Sequence, residues 1–197
     1  MRLLILFCFI LLACNSGNDK NIITDFDSSG LSTDTLANQV NRDTLGFTAT
    51  PLEIKVRSLL EKNYNDEWIV VNDTISKWPK DMFDYFIAGK RKSDLNYPYI
   101  VTADLDANGK TDIAALVTNK DRSIAKIAII NDDSLIKFWE DDVRGAAISV
   151  HPKADIGDIY GNTARMVSEG INVEFFEKSS FVLYWNGKSF KKAWTGD

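Results

Sequence analysis

The stretch Asp104-Leu105-Asp106-Ala107-Asn108-Gly109-Lys110-Thr111-Asp112 places oxygen-bearing side chains at positions 1, 3, 5 and 9 of one short loop, with glycine at position 6. That alternation lets a tightly turned backbone aim several hard oxygen donors at one centre, which is the chemistry of binding a hard cation such as calcium. Three carboxylates on so short a loop repel one another unless a cation or good hydrogen bonding compensates them. A metal-free hairpin is the competing reading, in which Ala107-Asn108-Gly109-Lys110 is turn chemistry and Asp104 and Asp112 are merely solvated.

Such a loop needs two strands to close it. Tyr99 to Ala103 and Ile113 to Thr118 flank it as apolar runs and are expected to pair as a hairpin. Ile124 to Ile130 is nearly all apolar, with Lys126 its one charge, and reads as a strand near the centre of a sheet. After the turn Asn131-Asp132-Asp133-Ser134 comes a strand over Leu135 to Trp139, and Ala146 to Val150 is a further candidate. Gly170 to Phe176, Ser180 to Trp185 and Ser189 to Trp194 form three successive antiparallel runs. Asn186-Gly187 favours a two-residue type I′ turn, which would set Trp185 opposite Lys188 and Leu183 opposite Phe190. Leu183, Trp185, Phe190 and Trp194 would then share one face.

Upstream of the strands, Thr50-Pro51 has the form of a helix start, with Thr50 as N-cap, Pro51 at the first position and Glu53 in the first turn. Leu52, Val56, Leu59 and Leu60 mark its apolar face, and Asn63 supplies a stop. Trp68 to Val71 is a short strand. Trp78 to Ala88 spaces Met82, Phe83, Phe86 and Ile87 as a helix, a core stripe ended by Gly89. The expected fold is α+β, with N-terminal helices packed on a mostly antiparallel sheet of about seven to eight strands.

Apolar residues make up 45% and aromatics 11% of the 197 residues, enough for one packed domain, expected over residues 51–197. Residues 1–13 read as a removable leader, because Arg2 is followed by an apolar run from Leu3 to Ala13 too short to span a bilayer. Its end, Leu11-Leu12-Ala13-Cys14, resembles the lipobox of bacterial lipoproteins. The resemblance implies that Cys14 is lipidated, becomes the mature N-terminus and attaches the chain to a membrane. Asn15, in place of Asp after the cysteine, implies outer-membrane sorting within the cell envelope. Residues 14–50, rich in Asn, Asp, Ser, Thr and Gly, read as a flexible tether with a reach of roughly 33 Å. Cys8 would leave with the leader, so the domain would carry no thiol and no disulfide. The net charge of −5 is the wrong sign for a general nucleic-acid binder.

With its flanking Ile113-Ala114, the loop resembles the calcium loops of the FG-GAP and VCBS repeats, the family of integrin-α-like propeller blades. The resemblance implies calcium held by the side chains of Asp104, Asp106, Asn108 and Asp112 and by the backbone carbonyl of Lys110. Ala115 stands where an EF-hand would place its bidentate Glu, which disfavours that variant. The motif occurs once in a domain of roughly 145 residues, so a full propeller is not expected. The wider body, especially Gly170 to Trp194, is similar to uncharacterised secreted bacterial proteins carrying one such loop.

Other chemistry is sparse. His151 is the sole histidine and precedes Pro152. Glu140-Asp141-Asp142 reads as a solvated acidic turn, and Lys90-Arg91-Lys92 as a solvent-facing basic cluster. Glu174 and Glu177 flank Phe175-Phe176. No P-loop, dinucleotide fingerprint, zinc-protease helix or serine nucleophile elbow is present. The residues therefore favour a lipid-anchored envelope binding module, contacting a protein or glycan through exposed aromatics such as Trp139, Tyr160 or Tyr184. The alternatives are a hydrolase acting on an envelope polymer through acidic residues, and a metal-free structural accessory protein.

Overall fold

A computed structural model describes residues 48–131, 135–176 and 178–196. The expected leader, Cys14, the expected tether up to residue 47, the turn at 132–134 and Glu177 lie outside the described residues. Helix α1, Pro51–Tyr64, starts as its sequence dictates: Thr50 Oγ1 accepts the Glu53 N–H at 3.1 Å. Asn65, at φ 47°, ends it two residues beyond the expected stop, donating its N–H to the Glu61 carbonyl. Strand β1, Trp68–Val70, leads to one helical turn, α2, Asp73–Ser76, capped by Asn72.

The next stretch departs from the single helix ended by Gly89. It comprises α3, Lys80–Met82, a π turn over Phe83–Ile87, and α4, Ala88–Arg91, so that Gly89 lies inside a helix. The π turn widens the helix where the aromatic stripe meets the core. Ile87 is fully buried with Phe83 and Phe86 packed beside it, while Tyr85 is left 82% exposed.

The strands form three sheets, and the expectation of one sheet of seven to eight strands is corrected accordingly. The first contains β1, β2 (Ile100–Ala103), β3 (Asp112–Asn119), β4 (Ala125–Asn131) and β5 (Leu135–Phe138). β2 pairs with the first half of β3 and β1 with its second half, and the handover falls at Leu116: its N–H bonds the Tyr99 carbonyl and its carbonyl the Val71 N–H. β4, the expected central strand, lies between β3 and β5. β6 (Ala146–His151) pairs instead with β9 (Gly170–Phe175), followed by β10 (Ser179–Trp185) and β11 (Phe190–Gly196) in a second sheet. The hairpin β7 (Asp155–Gly157) and β8 (Thr163–Arg165) makes the third and was not foreseen.

The physical reason for the split lies between β5 and β6. Val143 N–H makes a last bond to β4 at the Ala125 carbonyl, and the turn that follows, closed by the Ala146 N–H on the Val143 carbonyl with Gly145 at φ 74°, leads the chain into β6, whose partners lie 19 to 29 residues further on. All pairings are antiparallel, as expected. The second sheet contributes Ile148, Ile171, Val173, Phe181 and Leu183 to the same apolar core as Val101, Leu116 and Ile129 of the first. The Ile148 N–H, bonded to the Pro98 carbonyl at 2.8 Å, ties the two sheets together.

The terminal hairpin also departs from its expected register. Trp185 opposes Phe190 and Leu183 opposes Lys192. Asn186 Oδ1 accepts both the Lys188 and Ser189 N–H groups, opening a four-residue loop in which Gly187 alone has positive φ, at 94°. The slip is by two residues, which preserves facing, so Leu183, Trp185, Phe190 and Trp194 still share a face.

Candidate metal centre

The loop at 104–111 bridges β2 and β3, whose last and first residues, Ala103 and Asp112, are register partners. Its backbone is wound by its own side chains. Asp104 accepts the Asn108 N–H at 3.1 Å and the Gly109 N–H at 3.0 Å, Asp106 accepts the Asn108 N–H at 3.2 Å, and Asn108 Oδ1 accepts the Lys110 N–H at 2.7 Å. Ala107 and Gly109 take positive φ, 64° and 79°, which lets successive N–H groups turn inward. Leu105 is fully buried and serves as the anchor: its N–H bonds Asp112 Oδ2 at 2.9 Å and its carbonyl accepts the Ser168 hydroxyl at 2.9 Å. Asp104 N–H reaches Glu169 Oε2 at 3.3 Å. The loop is thus held against the segment that enters the second sheet.

One carboxylate oxygen from each of Asp104, Asp106 and Asp112 lies within 4.8 Å of the other two. Two oxygens on opposite sides of a calcium-sized ion, each at roughly 2.4 Å, stand about 4.8 Å apart, so the three can ligate one ion together. Asp112 is fully buried. Burial pushes its pKa above the ordinary carboxylate value, the charges of Asp106 and Asp104 push it further, and the Leu105 N–H opposes them. A bound cation would reverse that balance. Asn108 and Lys110 lie on the exposed outer turn.

A further residue belongs to the cluster. Asn131, the last residue of β4, donates Nδ2 to Asp106 Oδ2 at 2.9 Å and to Asp112 Oδ1 at 3.0 Å. Read locally, Asn131 was only the start of a turn. The β3–β4 register, which pairs Ile113 with Ile130, is what brings it beside Asp112. Its Oδ1 is buried and has no hydrogen-bond partner among the described residues. Half a turn of the carboxamide would direct that oxygen toward an ion between the aspartates, so the donor set fits a hard cation.

The other candidates are engaged elsewhere. Asp141 Oδ2 accepts Trp139 Nε1 at 3.2 Å and pairs with Lys192 at 2.6 Å. Asp142 accepts the Ala125 N–H and pairs with Arg144. Glu174 accepts Asn172 Nδ2 and faces Lys90 at 3.6 Å. Arg91, expected in solvent, instead grips Asp73 through both terminal nitrogens at 2.5 and 2.9 Å and lies over the Phe83 and Tyr99 rings. His151 Nδ1 lies 2.8 Å from the Pro152 carbonyl. Of the three aromatics considered for contact, Tyr160 is 73% exposed, whereas Trp139 and Tyr184 pack against apolar clusters.

Fold and site together define an α+β domain of antiparallel sheets carrying a cluster of three aspartates able to hold a metal ion. No helix among the described residues is long and apolar enough to cross a membrane. No family model, curated protein or solved structure matches the chain.

Proposed function

We propose that the chain is a lipid-anchored cell-envelope binding module, held to the outer membrane through Cys14, in which one structural calcium ion stiffens the β2–β3 hairpin. The convergence of Asp104, Asp106 and Asp112 within 4.8 Å carries the metal reading. All donors are oxygens, no histidine or cysteine among the described residues joins them, and Asn131, whose Nδ2 faces Asp106 and Asp112, would add its Oδ1 as a further hard ligand after half a turn of the carboxamide. The anchor rests on the leader ending at Cys14, and the partner class, protein or glycan, rests on exposed rings such as Tyr160.

Thermal melting of the full chain with calcium and with chelator tests the metal. With a dissociation constant of about 10⁻⁴ to 10⁻³ M, calcium near 1 mM stabilises the fold by about 0.4 to 1.4 kcal/mol. For a domain of this size that is a rise of about 1 to 5 °C, abolished by Asp104→Ala. Identical melting temperatures with calcium and with chelator would sink the metal reading.

A further inference from the structure

A second site lies toward the other end of β3, about 13 Å along the strand from Asp112. Between α2, β3 and the segment leading into β6 is a cavity of about 190 Å³. Its walls include Val71, Leu116 and Val143, all buried side chains. Its polar lining comprises Ser76, Thr118 and the two arginines Arg122 and Arg144, with no carboxylate among the described residues. With Arg144 paired to Asp142, Arg122 supplies the one uncompensated charge among the described lining residues, and it is positive in a chain of net charge −5.

The arginines are not equivalent. Arg144 donates Nε to Asp142 Oδ2 at 2.6 Å and is already paired. Arg122 has no side-chain hydrogen bond or ion pair among the described residues. Its backbone is nevertheless held in place. Arg122 sits at φ 60°, its N–H bonded to the Asn119 carbonyl at 3.0 Å. On one side Asp121 Oδ1 accepts the N–H and hydroxyl of Ser123, and on the other Asn119 Oδ1 accepts the Ile124 N–H at 3.0 Å. A left-handed residue within a cross-bonded turn carries strain that the turn must hold. The result is a solvent-exposed residue with an unpaired guanidinium, its point of attachment fixed beside the cavity.

A planar guanidinium pairs best with a carboxylate, through two parallel hydrogen bonds. An apolar protein cavity of about 150 Å³ holds a benzene molecule, so this one has room for a single ring or a short aliphatic body. We propose that the cavity binds a small organic carboxylate, its apolar body against Val71, Leu116 and Val143 and its carboxylate on Arg122. The site is independent of the aspartate loop and does not require calcium.

Titration of the isotope-labelled full chain with sodium benzoate, followed by amide chemical shifts, tests the assignment. Saturable shifts are expected at Leu116, Ala125 and Val143. Benzamide, which keeps the ring and loses the charge, and acetate, which keeps the charge and loses the ring, should each bind at least about tenfold more weakly. Arg122→Gln should weaken benzoate about tenfold while the rest of the spectrum is unchanged, and Arg122→Lys, which keeps charge without the fork, should fall between. The absence of saturable shifts, an equal response to benzamide, or unchanged benzoate affinity in Arg122→Gln would each overturn the proposal.

Discussion

Asn131 supplies the only side-chain hydrogen-bond donor shared by two of the clustered aspartates among the described residues, and it does so with a neutral amide. Replacing that amide by a carboxylate isolates its role. Asn131→Asp removes two hydrogen bonds and adds a like charge, so in chelator the fold should lose about 1–3 kcal/mol. With calcium, the added charged ligand should make the metal-dependent rise in melting temperature larger than in the wild type. An equal or smaller rise would remove Asn131 from the site. Asp142 makes a different test. Burial pushes its pKa up, but hydrogen bonds from the Ala125 N–H and from Arg144 outweigh it and hold the carboxyl below its ordinary 3.8. A depressed folded-state pKa contributes stability that is present above the unfolded value and lost as pH falls through the folded one. Stability should therefore drop on acidification below pH 3.8, and Asp142→Asn should show a shallower drop in denaturant titrations over that range.

The helix α1 is legible because its start signals are local: an N-cap hydroxyl, a proline whose missing N–H costs nothing there, and an acidic first turn. The Thr50 hydroxyl also donates to Asn96 Oδ1 at 2.6 Å, fastening the helix start to the segment before β2. Thr50→Ala should therefore lower stability by about 1–2 kcal/mol, seen as a lower denaturant midpoint, with Thr50→Ser retaining most of it. An unchanged midpoint would show that the cap is dispensable. The hairpin around the aspartate loop was equally legible, because apolar runs of matched length on either side of turn residues pair without outside help. The β10–β11 register was not. The Asn186 side chain competed for the backbone N–H groups that a two-residue turn would have used, and moved the register while keeping its parity. The π turn at Phe83–Ile87 was also illegible, since apolar spacing does not separate a π turn from an ordinary helical one.

In the molecule as a whole, the two larger sheets share one core, so the aspartate loop is anchored from both. β2 and β3 carry it, while Ser168, just before β9, holds its Leu105 carbonyl. A loop fixed at both sides can transmit an ion's stabilisation to the domain, which is why the metal effect is expected in global melting. The proposed lipid anchor belongs to this scale too. The full chain expressed in a Gram-negative host should fractionate with membranes and incorporate a fatty-acid label, and Cys14→Ser should abolish the labelling. A wild-type chain without label would rule out lipidation.

The sequence by itself determined the start of α1, the strand segments of the two larger sheets and the converging aspartates, because capping, alternation and loop spacing act over a few residues. Only the tertiary structure decided how the strands divide into sheets, that Asn131 donates to two of the clustered aspartates, and that Arg122 stands unpaired at a cavity with a partly apolar lining. Those outcomes depend on which distant segments meet when apolar faces are buried together. Strand pairing across 19 to 29 residues, as between β6 and β9, is set by that shared burial and leaves no mark on the local pattern.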